Sequence, residues 1–147
     1  MTYAENRKAY HDYEIIEKYE AGVILEGHEV KAVKTGKISI LGSYVKILNS
    51  EAFLIGATIS PYQPKNTPGD YDPERTRKLL LNKKEIAGLI GKSKEKGLTI
   101  VPLKVYDRRC KIKLEIGLAK AKKKHDKREV LRKKEEKRKI ERTLKQY

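Results

Sequence analysis

Hydrophobic residues along this chain recur mostly at every second position, in short runs divided by polar turns. Over residues 110–116, Cys110, Ile112, Leu114 and Ile116 alternate with Lys111, Lys113 and Glu115. This is the period that buries one face of a half-exposed strand. On that alternation Cys110 is expected to be a small buried hydrophobe, and Gly117 ends the pattern. Strand-like runs also fill residues 13–25, 38–40, 43–48, 52–59 and 98–106, with Asn49-Ser50-Glu51 placed as a hairpin turn. Glu20-Ala21-Gly22 interrupts the first run and predicts a bulge or bend that displays Glu20, while Pro102 predicts that the last run is bulged or at an edge.

The helical period is rarer. Val30 and Val33 lie three apart with Gly36 as a stop, which predicts a short helix placed to plug one end of a barrel. A proline-rich loop over residues 61–73 leads to a helical insert. There, residues 75–78 are expected to form a basic helical turn, followed by Leu79-Leu80-Leu81. Asn82 and Glu85 have capping-box spacing, so a further helix starts near Lys83 and buries Ile86, Leu89 and Ile90. Three consecutive leucines in a helix cannot all face one core, and Leu80 is expected at the surface beside Asn82. Asn82 is then either a helix cap alone or a cap that also offers a contact. About six strands with about three helices predict a mainly β fold, an OB-like closed antiparallel barrel.

Beyond Gly117 the hydrophobic pattern fails. Residues 117–147 carry 14 Lys and Arg against 5 Asp and Glu, which is nine of the formal net +15. Between Leu131 and Ile140 there is only Lys, Arg and Glu. Such a segment cannot offset an ordering entropy of roughly 1–2 kcal/mol per residue. The chain is therefore divided into a barrel with a helical insert over residues 1–116 and a basic, helix-compatible tail over 117–147 that is disordered alone.

A charge of this sign implies a polyanionic partner, nucleic acid rather than membrane, because no segment joins strong amphipathicity to aromatic anchors. Near the start, Arg7 and Lys8 interleave with Tyr10, His11 and Tyr13, a mixture suited to phosphates and unpaired bases, or equally to packing at the edge of the domain. No apolar run follows a basic start and no stretch approaches the ~20 apolar residues of a membrane span, so a cytoplasmic protein is expected. His11-Asp12 and His125-Asp126 are neighbours in sequence without a second carboxylate or a nucleophile, no glycine-rich phosphate loop occurs, and one Cys with three His gives no metal signature. Neither an enzyme nor a bound cofactor is expected.

Four separated strings, NRKAYHDYEI at 6–15, YEAGVILEGHEVKAVKTGK at 19–37, DPERTRKLLLN at 72–82 and GLAKAKKKHDKRE at 117–129, resemble the SsrA-binding protein family. The resemblance runs in order through nearly the whole chain, with Ala121 where a glycine is common and a less usual His28. It implies a non-enzymatic protein that binds the tRNA-like domain of transfer-messenger RNA and delivers it, with EF-Tu, to stalled ribosomes for trans-translation. It also implies roles for single residues. Glu20, Leu80 and Asn82 would contact the RNA, supported by His11 and Tyr13. Lys120, Lys122, Lys123, His125, Asp126, Lys127 and Arg128 would meet the small-subunit decoding centre, and the rest of the tail would lie in the empty mRNA channel. A structural RNA-binding protein of the ribosome or its assembly pathway is the alternative that would share the charge and the barrel.

Overall fold

The computed structural model describes residues 1–95 and 97–122, together with Arg138. Its elements run β1 (Thr2–Glu5), α1 (Arg7–Asp12), β2 (Tyr13–Val23), α2 (Gly27–Lys34), β3 (Ile38–Ser39), β4 (Tyr44–Leu48), β5 (Glu51–Ile55), β6 (Thr58–Ile59), β7 (Arg77–Leu80), α3 (Lys83–Ser93), β8 (Leu98–Arg108) and β9 (Lys111–Ala121). The order β8-β4-β5-β7-β2-β9 is antiparallel throughout, and β9 pairs back onto β8. Six strands thus close a ring, the closed arrangement expected from the alternation, with three α-helices around it. β1 adds to the outside of β8, and β3 pairs with β6 in a separate two-stranded sheet. Inward positions of every ring strand, among them Ala21, Val45, Leu54, Leu79, Ile100, Val105, Leu114 and Ile116, form one buried cluster, joined by Ala32 and Val33 from α2.

The turns follow their chemistry. Asn49 and Ser50 both have positive φ, 52° and 60°, which suits the two-residue hairpin between β4 and β5. The register slips between Pro102 and Lys104, the bulge that a proline inside a paired strand predicts. Asn82 accepts a hydrogen bond from the Glu85 backbone N–H and Glu85 answers from its side chain, a complete capping box at the start of α3.

Several expectations are corrected. Residues 77–80, expected as part of a helical turn, form strand β7, so period-two alternation sets the faces of the leucines: Leu79 is inside at 2% exposure and Leu80 outside at 53%. Leu80 is at the surface as expected, for a different reason. Glu20-Ala21-Gly22 is not a bend, because β2 runs straight through it, and the slip in its pairing with β9 lies between Ile15 and Glu17. Cys110 is exposed, since the β8–β9 turn takes Arg109 and Cys110 at positive φ of 52° and 64° and lifts Cys110 off the strand alternation. Residues 7–12, read as a polar segment, are helical, with the Asn6 side chain accepting from the Ala9 N–H.

Gly117 does not end the last strand. β9 continues to Ala121, with Leu118 and Ala119 almost wholly buried. A Cβ at Gly117 would lie 2.9 Å from Leu103 Cδ1 and 3.1 Å from Ile15 Cγ2. The glycine is there because two strands press their side chains onto it, and the folded part of the chain extends beyond residue 116.

One polar cluster is built into the closure. Glu29 on α2 is fully buried, and Arg77 on β7 is 1% exposed. Arg77 Nη2 donates to Glu29 Oε2 at 2.7 Å and Nε at 2.9 Å, while its Nη1 donates to the Ala57 carbonyl at 2.9 Å. Arg75 donates to both Glu29 oxygens, and the Tyr71 hydroxyl to Oε2 at 3.0 Å. Burial on its own would raise the Glu29 pKa. The bonds from Arg75, the Glu26 backbone and Arg77 outweigh it and hold the pKa down to about 2.

Three expected outcomes follow for stability. Glu29→Ala leaves two guanidinium groups at least partly buried without their counter-charge and should destabilise by about 3–5 kcal/mol in urea unfolding. Because the folded pKa lies below the unfolded one, Glu29 contributes stability above about pH 4.5 that is lost as the pH falls toward about 2. Unfolding of the wild type should weaken through that window by several kcal/mol more than unfolding of Glu29→Gln. A chain ending at Ile116 loses Leu118, Ala119 and the pairing of both neighbouring strands, and should melt far below the full chain or fail to fold.

Candidate nucleic-acid interface

Strand register brings three of the sequence-predicted residues together. Gly22 on β2 pairs with Leu80 on β7. Glu20, two positions along, points to the same outer side, roughly 7–8 Å from Leu80 by strand geometry. Asn82 follows two residues after Leu80, at the surface, as the N-cap of α3. Its side-chain oxygen is used by the Glu85 N–H at 2.8 Å, and its amide N–H2 forms no bond to any described residue. The cap and a contact to an outside acceptor are therefore compatible.

Gly22 is a residue that sequence reading misassigned. A Cβ there would stand 3.3 Å from Leu80 Cβ and 3.5 Å from Leu80 Cδ1. The glycine is a bed for the exposed leucine, and a Cβ at position 22 would press on Leu80 and force a small shift of its side chain. Beside it runs a groove of about 320 Å3, floored by Val23, Leu25, Val30 and Ile112 and edged by Lys111 and Lys113.

Glu20 is held from β8, the next strand but one. Its Oε2 accepts from the Tyr106 hydroxyl at 2.5 Å and from Arg108 Nη1 at 3.2 Å. The Tyr106 bond first, then Arg108 with Lys113 nearby, keep the Glu20 carboxyl below the usual range, against a smaller opposing effect of burial. Burial and the Glu20 bond push the Tyr106 phenol up. Glu20 is thus an anion at neutral pH inside a basic surface, able to accept hydrogen bonds and unable to hold a phosphate. Tyr106 and Arg108 were missed because the pairing of β8, β9 and β2 decides what Glu20 meets, and single-strand alternation reveals only that both residues lie on the polar side.

His11 and Tyr13 are placed elsewhere. Tyr13 opens β2, seven residues before Glu20, roughly 20 Å away along an extended strand. It pairs with Ala121 at the end of β9, and with Lys8, Asp12 and Tyr44 it lines a second groove of about 310 Å3. His11 sits half-buried in the last turn of α1. Lys120 is exposed on β9, and Lys122 binds back to this end, its backbone N–H to the Asp12 carbonyl and its Nζ to the Tyr10 carbonyl, both at 3.0 Å. The five residues expected on one RNA surface are therefore split between the two ends of β2, and His11 and Tyr13 share theirs with Lys120 and Lys122. Lys123, His125, Asp126, Lys127 and Arg128 lie outside the described residues, as does the expected helix of the tail.

Among the described residues no group of three or more His, Cys, Asp or Glu could hold a metal ion, and no helix is long and apolar enough to cross a membrane.

The family profile described as SmpB protein matches residues 3–146. The SsrA-binding protein of Sulfurihydrogenibium sp. is 54% identical over 142 residues, covering 97% of this chain and 93% of the relative. That of Dechloromonas aromatica is 52% identical over 146 residues, covering 99% and 98%. That of Enterococcus faecalis is 53% identical over 142 residues, covering 97% and 92%. A chain of the solved structure "tmRNA-SmpB: a journey to the center of the bacterial ribosome" aligns with a TM-score of 0.68 at 45% identity, over 88% of this chain and 94% of that one. Identity near one half across almost the full length, with the strand ring and the four strings in order, makes this chain a member of the SmpB, or SsrA-binding, protein family.

Proposed function

We propose that this protein binds the tRNA-like domain of transfer-messenger RNA and delivers it to stalled ribosomes for trans-translation. One observation carries the reading to particular residues: Glu20, far earlier in the sequence, shares one outer surface with Leu80 and Asn82 in a chain whose relatives are SsrA-binding proteins. An acidic acceptor, an exposed leucine and a free amide suit unpaired bases and sugar hydroxyls, and the surrounding Lys and Arg suit phosphates. The protein works by recognition and performs no chemistry itself. It acts in the cytoplasm, with EF-Tu as a partner in the delivery complex.

The tail takes the second task. Lys122 ties back to α1, and the basic stretch of the sequence continues from Lys123. In this reading Lys120, Lys122 and Lys123 approach the decoding centre, and His125 to Arg128 take the place of a codon–anticodon pair. The remainder becomes helical in the vacant mRNA channel as ribosomal RNA phosphates neutralise its charge. Pairs such as Glu129 with Lys133, at i,i+4, add only about 0.2–0.5 kcal/mol each.

Glu20→Ala, Leu80→Asp and Asn82→Ala should each weaken binding of the tRNA-like RNA roughly tenfold or more, the loss expected when an interface contact goes unmatched. Since Asn82 also caps α3, Asn82→Ser is the control: serine caps comparably, so it should restore the melting temperature and not the affinity. Unchanged affinity in all three variants, or co-purification with ribosomal RNA alone, would contradict the assignment.

Ending the chain after Lys122 should leave RNA binding nearly intact, with log K still falling steeply against log salt at roughly −0.7 to −0.9 per neutralised phosphate. Tagging in a reconstituted translation assay should be lost. His125→Ala in the full chain should bind the RNA normally and fail in the same assay, while His125→Trp, still able to stack, should fail less. Normal tagging by both the shortened chain and His125→Ala would remove the tail from the mechanism.

A further inference from the structure

The outer surface of β2, β9 and β8 carries a hydrogen-bonded arrangement that no single strand predicts. Glu20 on β2 stands opposite Glu115 on β9, and Glu115 opposite Lys104 on β8. Tyr106 and Arg108 follow Lys104 on that side of β8, so both reach back across β9 to Glu20. The two donors meet the same oxygen, Oε2. A carboxylate oxygen has about two acceptor positions, so Oε2 is filled. Oε1 accepts from none of the described residues. Lys104 Nζ lies over the Tyr106 ring, 5.2 Å from its centroid.

On the reading that Glu20 contacts the RNA, we propose that Tyr106 and Arg108 are its positioning residues, tying one carboxylate oxygen so that the other is presented to a neutral N–H or O–H donor of the RNA. The physical reason is entropic and geometric. A free Glu side chain at a surface samples many rotamers, and freezing them on binding costs affinity. A carboxylate already fixed through Oε2 has met that cost in folding. Its orientation also discriminates. A base amino group or a sugar 2′-hydroxyl can donate to Oε1, whereas a phosphate oxygen is repelled. The same surface therefore selects which part of the RNA backbone or base edge may approach, and the cations nearby cannot do this.

The test is a double-mutant cycle on the full chain, with the tRNA-like RNA as probe and the melting temperature as control. Tyr106→Phe removes one hydroxyl and keeps the ring under Lys104. It should weaken binding about three- to tenfold, in the range of coupled neighbours, with little change in melting. In a Glu20→Ala background the same substitution should change nothing, because the group it positions is absent. Arg108→Met, which keeps the alkyl stem, should show the same dependence on Glu20. A purely structural role would weaken both backgrounds equally, and that result would overturn the proposal, as would wild-type affinity of Tyr106→Phe where Glu20→Ala binds weakly. Wild-type affinity of Glu20→Ala itself would instead overturn the reading of the interface beneath it. RNA bearing 2′-deoxy sugars and RNA bearing inosine for guanosine distinguish the donor: the one that removes it should erase the difference between wild type and Tyr106→Phe.

Discussion

A single buried carboxylate organises this fold. Glu29 joins α2 to the loop before β7 through Tyr71 and Arg75 and to β7 itself through Arg77, and Arg77 also binds the Ala57 carbonyl. Burying a charge is costly unless it is paired and fully bonded, and here both Glu29 oxygens and all three guanidinium nitrogens of Arg77 have partners. The consequence reaches the surface. Arg77 fixes the start of β7, and the strand alternation that follows places Leu79 inside, Leu80 outside and Asn82 at the cap of α3. Leu80, the residue on this strand proposed to face the RNA, is exposed because an arginine three positions earlier is anchored in the core.

The ring itself was readable from alternation, because half-buried antiparallel strands write a period of two into the sequence. So was the capping box of Asn82 and Glu85, a local device. What misled was context beyond a single strand. RTRKLLL has the composition of a basic helix, and the buried partner that makes it a strand, Glu29, is 48 positions from Arg77. Gly22 and Gly117 resembled punctuation, yet each is a glycine because a neighbouring side chain, Leu80 in one case and Leu103 in the other, occupies the room a Cβ would need. Glu20 was found through its place beside Gly22 and its likeness to the family. Its supports were hidden, since Tyr106 and Arg108 lie on another strand.

β2 is also a measuring rod. Its first residue pairs with Ala121 beside the point where the described chain stops, and its far end carries Glu20 and the glycine under Leu80. One strand of 11 residues therefore separates the surface proposed to hold tRNA-like RNA from the surface proposed to approach the ribosome. β9 holds the strand from Tyr13 to Gly22 and β7 holds its far end at Gly22 and Val23, and a strand paired along its length keeps that spacing, which is what a protein needs if binding one RNA is to orient it toward another. His11 and Tyr13 belong by position to the second surface, beside Lys122.

The central claim is that the tRNA-like RNA is held at the Glu20 and Leu80 end of β2. Amide NMR of the full chain, titrated with that RNA alone, addresses it most directly. The account predicts the largest shifts at Glu20, Gly22, Leu80, Asn82 and Tyr106, with Lys8, Tyr13 and Tyr44 little changed. Large shifts at Lys8, Tyr13 and Tyr44 with a silent Glu20 and Leu80 would contradict it.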